Sequence, residues 1–249
     1  MRQLRFFVVT FGLLVSFCQA FGAEMCEGLF NPKDWDMSEQ IQKNRFITNR
    51  DLTEYMHQLH PHFVGALRKL GPENHWIDLG AGKAIAQTQY LKTFDHIQKA
   101  PFATAVAFKI DRWLPLPSFK GKLQVREGAF EAQDTSTWRK ADVITDVMGV
   151  LSYTRDLSTS LQKVVDLLNV NGELYIEFAP WVTSVQDAGT QHKFLGFLER
   201  IDGLQVTGNF GIVKVVKKRE HIQIPRMELV LYREDYPPYR AFKVIDPAP

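Results

Sequence analysis

The amino-acid sequence predicts an α/β fold in three layers, a mostly parallel sheet covered by helices on both faces. Three observations predict it. Short apolar runs recur along the chain, among them "HWIDL" (75–79), "ATAVAFKI" (103–110) and "ADVITDV" (141–147). Segments with apolar residues at helical spacing stand between such runs. A bend, Gly80-Ala81-Gly82, closes the first run and opens a helix. Buried strands alternating with amphipathic helices imply parallel pairing through crossovers.

The chain opens on "MRQLRFFVVTFGLLVSFCQAFGA". Arg2 and Arg5 precede an apolar run from Phe6 to Phe17, and the small residues Ala20, Gly22 and Ala23 follow. That order is the pattern of a secretory signal, cleaved near positions 20 to 23. The uncharged stretch to Ala23 borders on the roughly 20 residues that cross a bilayer, so an uncleaved anchor is the alternative. The expected division is a signal peptide or membrane anchor over 1–23, a helical cap segment over 24–70 and the main domain over 71–249. Export to the periplasm or medium follows, with attachment to a membrane only through an uncleaved leader.

With 249 residues, 45% of them hydrophobic and 23% charged, the chain can bury one sizeable core. It carries 30 Lys and Arg against 28 Asp and Glu. Losing Arg2 and Arg5 with the leader leaves 28 against 28. A neutral domain lacks the bulk positive field of nucleic-acid binders. Of the two cysteines, Cys18 and Cys26, cleavage leaves Cys26 alone, so an internal disulfide is excluded.

The elements follow in order. Asp51 to Leu70 reads as a helix capped by Asp51, with Leu52, Tyr55, Met56, Leu59, Phe63, Val64 and Leu67 at helical spacing. Pro61 divides it and Gly71-Pro72 ends it. Strand His75–Leu79 leads into a helix from Ala84 to Thr93. Strands follow at 103–110, Leu123–Arg126 and Ala141–Val147. A helix spans Ser158–Leu168, with Leu161, Val164, Val165 and Leu168 on one stripe. Asn171-Gly172 turns into the strand "ELYIEF", and a helix spans Lys193–Ile201. The segment 204–234 reads as two strands joined by a hairpin-like excursion, and "KVVKKRE" within it as a solvated strand edge. A strand pair without an intervening helix adds an antiparallel strand at the sheet edge.

The bend after the first strand holds a ligand in sheets of this type. A phosphate-binding loop is excluded, because Ile77 stands at its first glycine and Ala84 at its Ser/Thr. A dinucleotide fingerprint is weakened by the bulk of Ile85 at its third small position. "WIDLGAGKA" resembles the first motif of the class I S-adenosylmethionine-dependent methyltransferases: an acid, a spacer, then alternating glycines. Asp78, Gly80 and Gly82 match, and Ala84 replaces the last glycine. Glycines clear the approach and admit unusual backbone angles, and free amides at a helix start suit a carboxylate.

"AFKIDRW", "VREGAFEA", "ADVITDVMGVLSYTRD" and "LLNVNGELYIEF" resemble the later motifs in order, covering roughly 50–235. The resemblance implies a Rossmann-like three-layer sandwich around a mostly parallel seven-stranded sheet with an antiparallel edge strand. It implies S-adenosylmethionine bound by Asp78, Gly80, Ala81, Gly82, Asp111 and Phe130, with Asp111 on the ribose. Ala129 stands where the family often has the acid beside the adenine, which leaves Glu131 as a substitute. Asp146 and Tyr153 face the expected methyl group as catalytic candidates, Asp146 as substrate contact or base. Trp181 is a candidate pocket wall. The acceptor is a small molecule or an unknown group, and no metal is expected; His57, His60 and His62 lack ligand spacing.

A leader conflicts with a cofactor made in the cytoplasm. Delivery into another cell, retention on the inner side of a membrane, or loss of methyl transfer would each resolve it. The functional alternative is therefore an exported, non-catalytic ligand-binding module with a degenerate methyltransferase fold.

Overall fold

The computed structural model describes residues 50–108, 119–179, 182–209, 211–233 and 239–246. They belong to one compact unit, Ile47–Pro249. The other unit, Met1–Phe46, lies outside the described residues, and with it the expected leader and Cys26. Among the described residues no helix is long and apolar enough to cross a membrane.

The first helical stretch is divided, as Pro61 requires, into α1 (Leu52–Gln58) and α2 (His62–Arg68). Asp51 caps α1 in a reciprocal box: its carboxylate accepts from the Glu54 amide at 2.8 Å, and Glu54 accepts from the Asp51 amide at 2.7 Å. Then come β1 (His75–Leu79), α3 (Ile85–Lys92), β2 (Phe102–Ala107), β3 (Leu123–Glu127) and β4 (Ala141–Val147). After these stand α4 (Val150–Tyr153), α5 (Leu157–Leu167) and β5 (Leu168–Glu177).

The main sheet has seven strands in the order β3-β2-β1-β4-β5-β9-β8, where β8 is Leu204–Asn209 and β9 is Ile212–Lys217. The strands from β3 to β5 are parallel, and β9 runs antiparallel to both β5 and β8. The antiparallel strand thus sits one place in from the edge. Asn171 and Gly172 make a bulge inside β5, between the pairs Ala141↔Leu168 and Val143↔Glu173.

A second sheet departs from the expected single one. It has the order β10-β11-β6-β7, with β6 (Thr183–Asp187), β7 (Thr190–Lys193), β10 (Arg226–Arg233) and β11 (Tyr239–Asp246). β6 and β7 meet at a two-residue turn, Ala188-Gly189, with φ of 47° and 80°. Positive φ at both positions is the hairpin turn that matches strand twist. The short helix α6 (Phe194–Leu198) follows. The segment 204–234 therefore holds three strands, β8 (Leu204–Asn209), β9 (Ile212–Lys217) and β10, not two. Gly208 permits the β8–β9 hairpin, where an added Cβ would stand 2.2 Å from the Ile212 carbonyl oxygen. β10 then leaves for the second sheet across Pro225.

Two apolar layers flank the main sheet. On one face Tyr55, Phe63 and Tyr90 stand edge-on around Trp76, with centroids 6.4, 6.0 and 5.5 Å from it. This cluster joins α1, α2 and α3 to β1. Full burial of a side chain such as Phe63 contributes about 1.5–3 kcal/mol. On the other face α5 and α6 bury Leu161, Val164, Val165, Phe194, Phe197 and Leu198, and Val185, Met227 and Phe242 of the second sheet join the same cluster.

Lys217 corrects the reading of "KVVKKRE" as a solvated edge. β9 is interior to the sheet, and Lys217 is 1% exposed. Its Nζ donates to the Val165 and Leu168 carbonyls at 2.7 and 3.0 Å, closing the C-terminus of α5.

Candidate functional site

The order of the main sheet reverses between β1 and β4, and the turns that follow these two strands make the candidate site. After Leu79 the chain folds over β2: the Gly80 and Ala81 amides both donate to the Val106 carbonyl, at 2.9 and 2.8 Å. Gly80, Gly82 and Ala84 have φ of 83°, 53° and 54°. Ala84 is thus an L-residue in the left-handed region, where the resembling motif carries glycine. Helix α3 begins here without a side-chain cap. Its first amides are left to water or a ligand.

The turn after β4 comes up against this one. A Cβ added to Gly80 would stand 2.6 Å from the Gly149 Cα, and one added to Gly149 would stand 2.1 Å from the Leu79 carbonyl oxygen. Two backbones meet with no side chain between them. Gly149 therefore matters as much as Gly80, which the sequence motif did not reveal.

Asp78 lies beneath the turn, fully buried. One oxygen accepts from the Thr145 hydroxyl at 2.6 Å; the other accepts from the Tyr55 hydroxyl at 2.8 Å and from the Gln87 amide. Thr145 in turn accepts from the Trp76 ring at 2.9 Å. The carboxylate ties β1 to β4, α1 and α3. Burial pushes its pKa up to about 6, against the lowering pull of those hydrogen bonds and of Arg50. Removing the Tyr55 hydroxyl in Tyr55→Phe leaves this carboxylate short of a partner. The expected loss is about 1–3 kcal/mol in chemical denaturation; an unchanged midpoint would contradict the tie.

Asp146 points to the opposite face. One oxygen accepts from the Gly149 amide at 2.9 Å and the other from the Leu151 amide at 2.8 Å, so it shapes the turn into α4. Burial pushes its pKa up to about 7; the two amides and Arg240 pull it down, and Asp78 pushes it further up. Tyr153 stands half-buried at the end of α4.

The raised pKa values set a pH dependence. A carboxyl whose pKa is higher in the folded chain than the unfolded 3.8 binds its proton more tightly when folded. Its stabilising contribution is complete below about pH 4 and is lost as pH rises through about 6 to 7. Asp146→Asn does not titrate. Relative to that variant, the wild-type chain is expected to gain roughly 2–4 kcal/mol between pH 8 and pH 5. Urea unfolding at the two pH values reads the difference; a flat difference would refute it.

Phe130 is buried beside Trp138, with centroids 6.2 Å apart. The turn that carries it is held by Lys163, whose Nζ donates to the carbonyls of Phe130, Glu131 and Gln133. Glu131 accepts from the Thr154 hydroxyl at 3.2 Å, which links this turn to the end of α4. Gly80, Ala81, Gly82, Asp146 and Tyr153 thus gather at the carboxyl ends of β1 and β4, with Phe130 deeper in the core. Asp111 and Trp181 lie outside the described residues.

Four further residues belong to the site and were not evident in the sequence. Arg50 donates to the Val147 carbonyl at 3.0 Å, across the end of β4. Tyr55 reaches Asp78 from α1. Glu177 ends β5 opposite Val147. Arg240, at the start of β11, is fully buried and donates to the Leu151 carbonyl at 2.8 Å, the Thr154 carbonyl and the Thr183 hydroxyl. Burial lowers its pKa to about 10. Among the described residues no three His, Cys, Asp or Glu side chains group as metal ligands.

Strand order, crossovers and the glycine turn at the reversal define a Rossmann-like α/β fold. No family model matches the chain, and no curated protein matches it. Among solved structures it is similar to the 1,6-didemethyltoxoflavin-N1-methyltransferase of Burkholderia thailandensis, solved with 1,6-didemethyltoxoflavin and S-adenosylhomocysteine: 16% identity over 73% of this chain and 87% of that one, TM-score 0.47. It is similar to an rRNA methylase from Streptococcus thermophilus, at 13% identity over 69% and 99% and TM-score 0.39. It is also similar to the N-methyltransferase NodS from Bradyrhizobium japonicum, at 15% identity over 64% and 94% and TM-score 0.39.

Proposed function

We propose that the chain is an S-adenosylmethionine-dependent methyltransferase whose acceptor is a small molecule or an unknown group. The observation that carries this reading is the turn from Gly80 to Ala84. It has three left-handed residues and an uncapped helix start, and it lies where the strand order reverses. That arrangement fits the amino-acid end of the cofactor, whose carboxylate would meet the amides of Gly82 and the first turn of α3. Asp111 would hold the ribose, and the turn that carries Phe130, rather than its buried ring, would bound the adenine side. When bound, S-adenosylmethionine supplies a methyl group on a sulfonium. The residues of this chain would supply position: Asp146 shapes the turn after β4, and Tyr153 at the end of α4 would face the acceptor.

Calorimetric titration of the full chain with S-adenosylhomocysteine and with NAD tests the reading. Binding of the first, abolished in Asp111→Ala and in Gly80→Arg, is expected. Binding of NAD instead would assign a dinucleotide site. Silence toward both would favour the second reading, an exported non-catalytic module. One observation favours that alternative: both oxygens of Asp78 are already engaged by the protein. We propose export by cleavage of the leader as well. Mass spectrometry of the mature N-terminus checks it, and a chain that retains Met1 would overturn cleavage.

A further inference from the structure

Met148 is the strained residue of the turn after β4. Its φ of 46° lies in the left-handed region, which a methionine side chain opposes. Its amide donates to the Glu177 carbonyl at 2.8 Å, so the chain stays tied to β5 up to the bend. One residue on, Gly149 lies backbone to backbone against Gly80. A strained conformation of this kind persists only where its surroundings hold it.

What holds it is Asp146. Its two oxygens accept from the amides of Gly149 and Leu151, at 2.9 and 2.8 Å, and so clasp the turn just past Met148. Only an ionised carboxyl offers an acceptor to both amides; a neutral one carries its proton on one of those oxygens. Burial pulls the other way, because an enclosed charge is costly, and raises the pKa of Asp146 to about 7. Asp78 of β1 adds to that rise, and Arg240 of β11 opposes it. Tyr55 of α1 feels the charge of both acids, and Tyr153 and Glu131 stand near Arg240. The turn demands the charge and the core resists it, which leaves the element poised between two states.

We propose that Asp146 is a proton-operated latch on the cofactor crevice. Ionised, it clasps the Met148–Leu151 turn against the glycine turn; protonated, it frees one amide, relaxes the strain at Met148 and weakens cofactor binding. This rests on the methyltransferase reading and deepens it. The cofactor binds the clasped state better, so binding expels the Asp146 proton into solvent.

Calorimetric titration of the full chain with S-adenosylhomocysteine between pH 6 and pH 8 reads the latch. With a midpoint of about 7, affinity is expected to rise about tenfold across that range. Asp146→Asn offers one acceptor and one donor in place of two acceptors. It should bind at pH 8 as weakly as the wild type does at pH 6. Asp78 still titrates in that variant, so the difference between the two slopes is the decisive quantity. Met148→Gly removes the strain, so less clasping is needed, and the midpoint should fall by at least about 0.5 pH. In the free chain the amide resonances of Gly149 and Leu151 should shift with a shared midpoint near pH 7, a readout that needs neither variant nor ligand. The latch is overturned if affinity is flat with pH, if its rise survives in Asp146→Asn, if Met148→Gly leaves the midpoint in place, or if the two amides do not titrate together. Absent binding at every pH, with the amide midpoint intact, removes the cofactor reading and the gating with it. A flat amide response with binding intact removes the latch alone.

Discussion

Replacing Arg240 by methionine is expected to destabilise the chain by roughly 3–5 kcal/mol. A buried charge is often replaceable by an apolar group at little cost, so the size needs an argument. Methionine recovers the desolvation cost of the guanidinium, one of whose nitrogens, Nε, has no partner. It leaves behind the carbonyls of Leu151 and Thr154 and the hydroxyl of Thr183, all of which Arg240 engages. It also removes the cation that steadies buried Asp146. Abandoned acceptors cost about 1–3 kcal/mol each, which outweighs the recovery. Against a usual stability of about 5–15 kcal/mol, the variant would be marginal at best. Urea unfolding measures it, and a loss below about 1 kcal/mol would show that the network is dispensable. Lysine has one donor head in place of a planar fork and should recover little.

The second large effect is expected from Gly149→Ala, at roughly 3 kcal/mol or more. The new methyl carbon would begin 2.1 Å from the Leu79 carbonyl oxygen and 3.1 Å from the Asp146 carboxylate. The first is backbone at the end of a central strand, so relief requires parting β1 from β4. Gly65, inside α2, is the control. An added Cβ there meets nothing within 4 Å. Alanine at that position should stabilise by about 0.5–1 kcal/mol through backbone entropy. If the two variants unfold at the same urea concentration, the contact between the turns is not what holds them.

Much of the main sheet was legible because its central strands, β1, β2 and β4, are buried on both faces. "HWIDL" and "ADVITDV" read as apolar runs, and the helices between them carry stripes. The second sheet was not legible. "TSVQD" and "TQHK" have no apolar alternation, and β6 pairs in parallel with β11, more than fifty residues on, through contacts that no local window contains. Lys217 and Arg240 were hidden for the same reason: a charged residue in a strand reads as solvated until its partner, a helix end or a loop, is known. At the site, the glycine turn was visible as a motif. The engagement of Asp78 by Tyr55 and Thr145, and the approach of Gly149, depend on which strands become neighbours.

The dependence of α4 on Arg240 also orders events in time. The turn after β4 is synthesised some ninety residues before the side chain that locks it. A nascent chain emerging from the ribosome can assemble the parallel strands early, yet the carbonyls of Leu151 and Thr154 must wait for β11 to slot between β10 and β6. Until then the turn after β4 and helix α4 are loose, and proteases should cut there first in stalled or shortened chains.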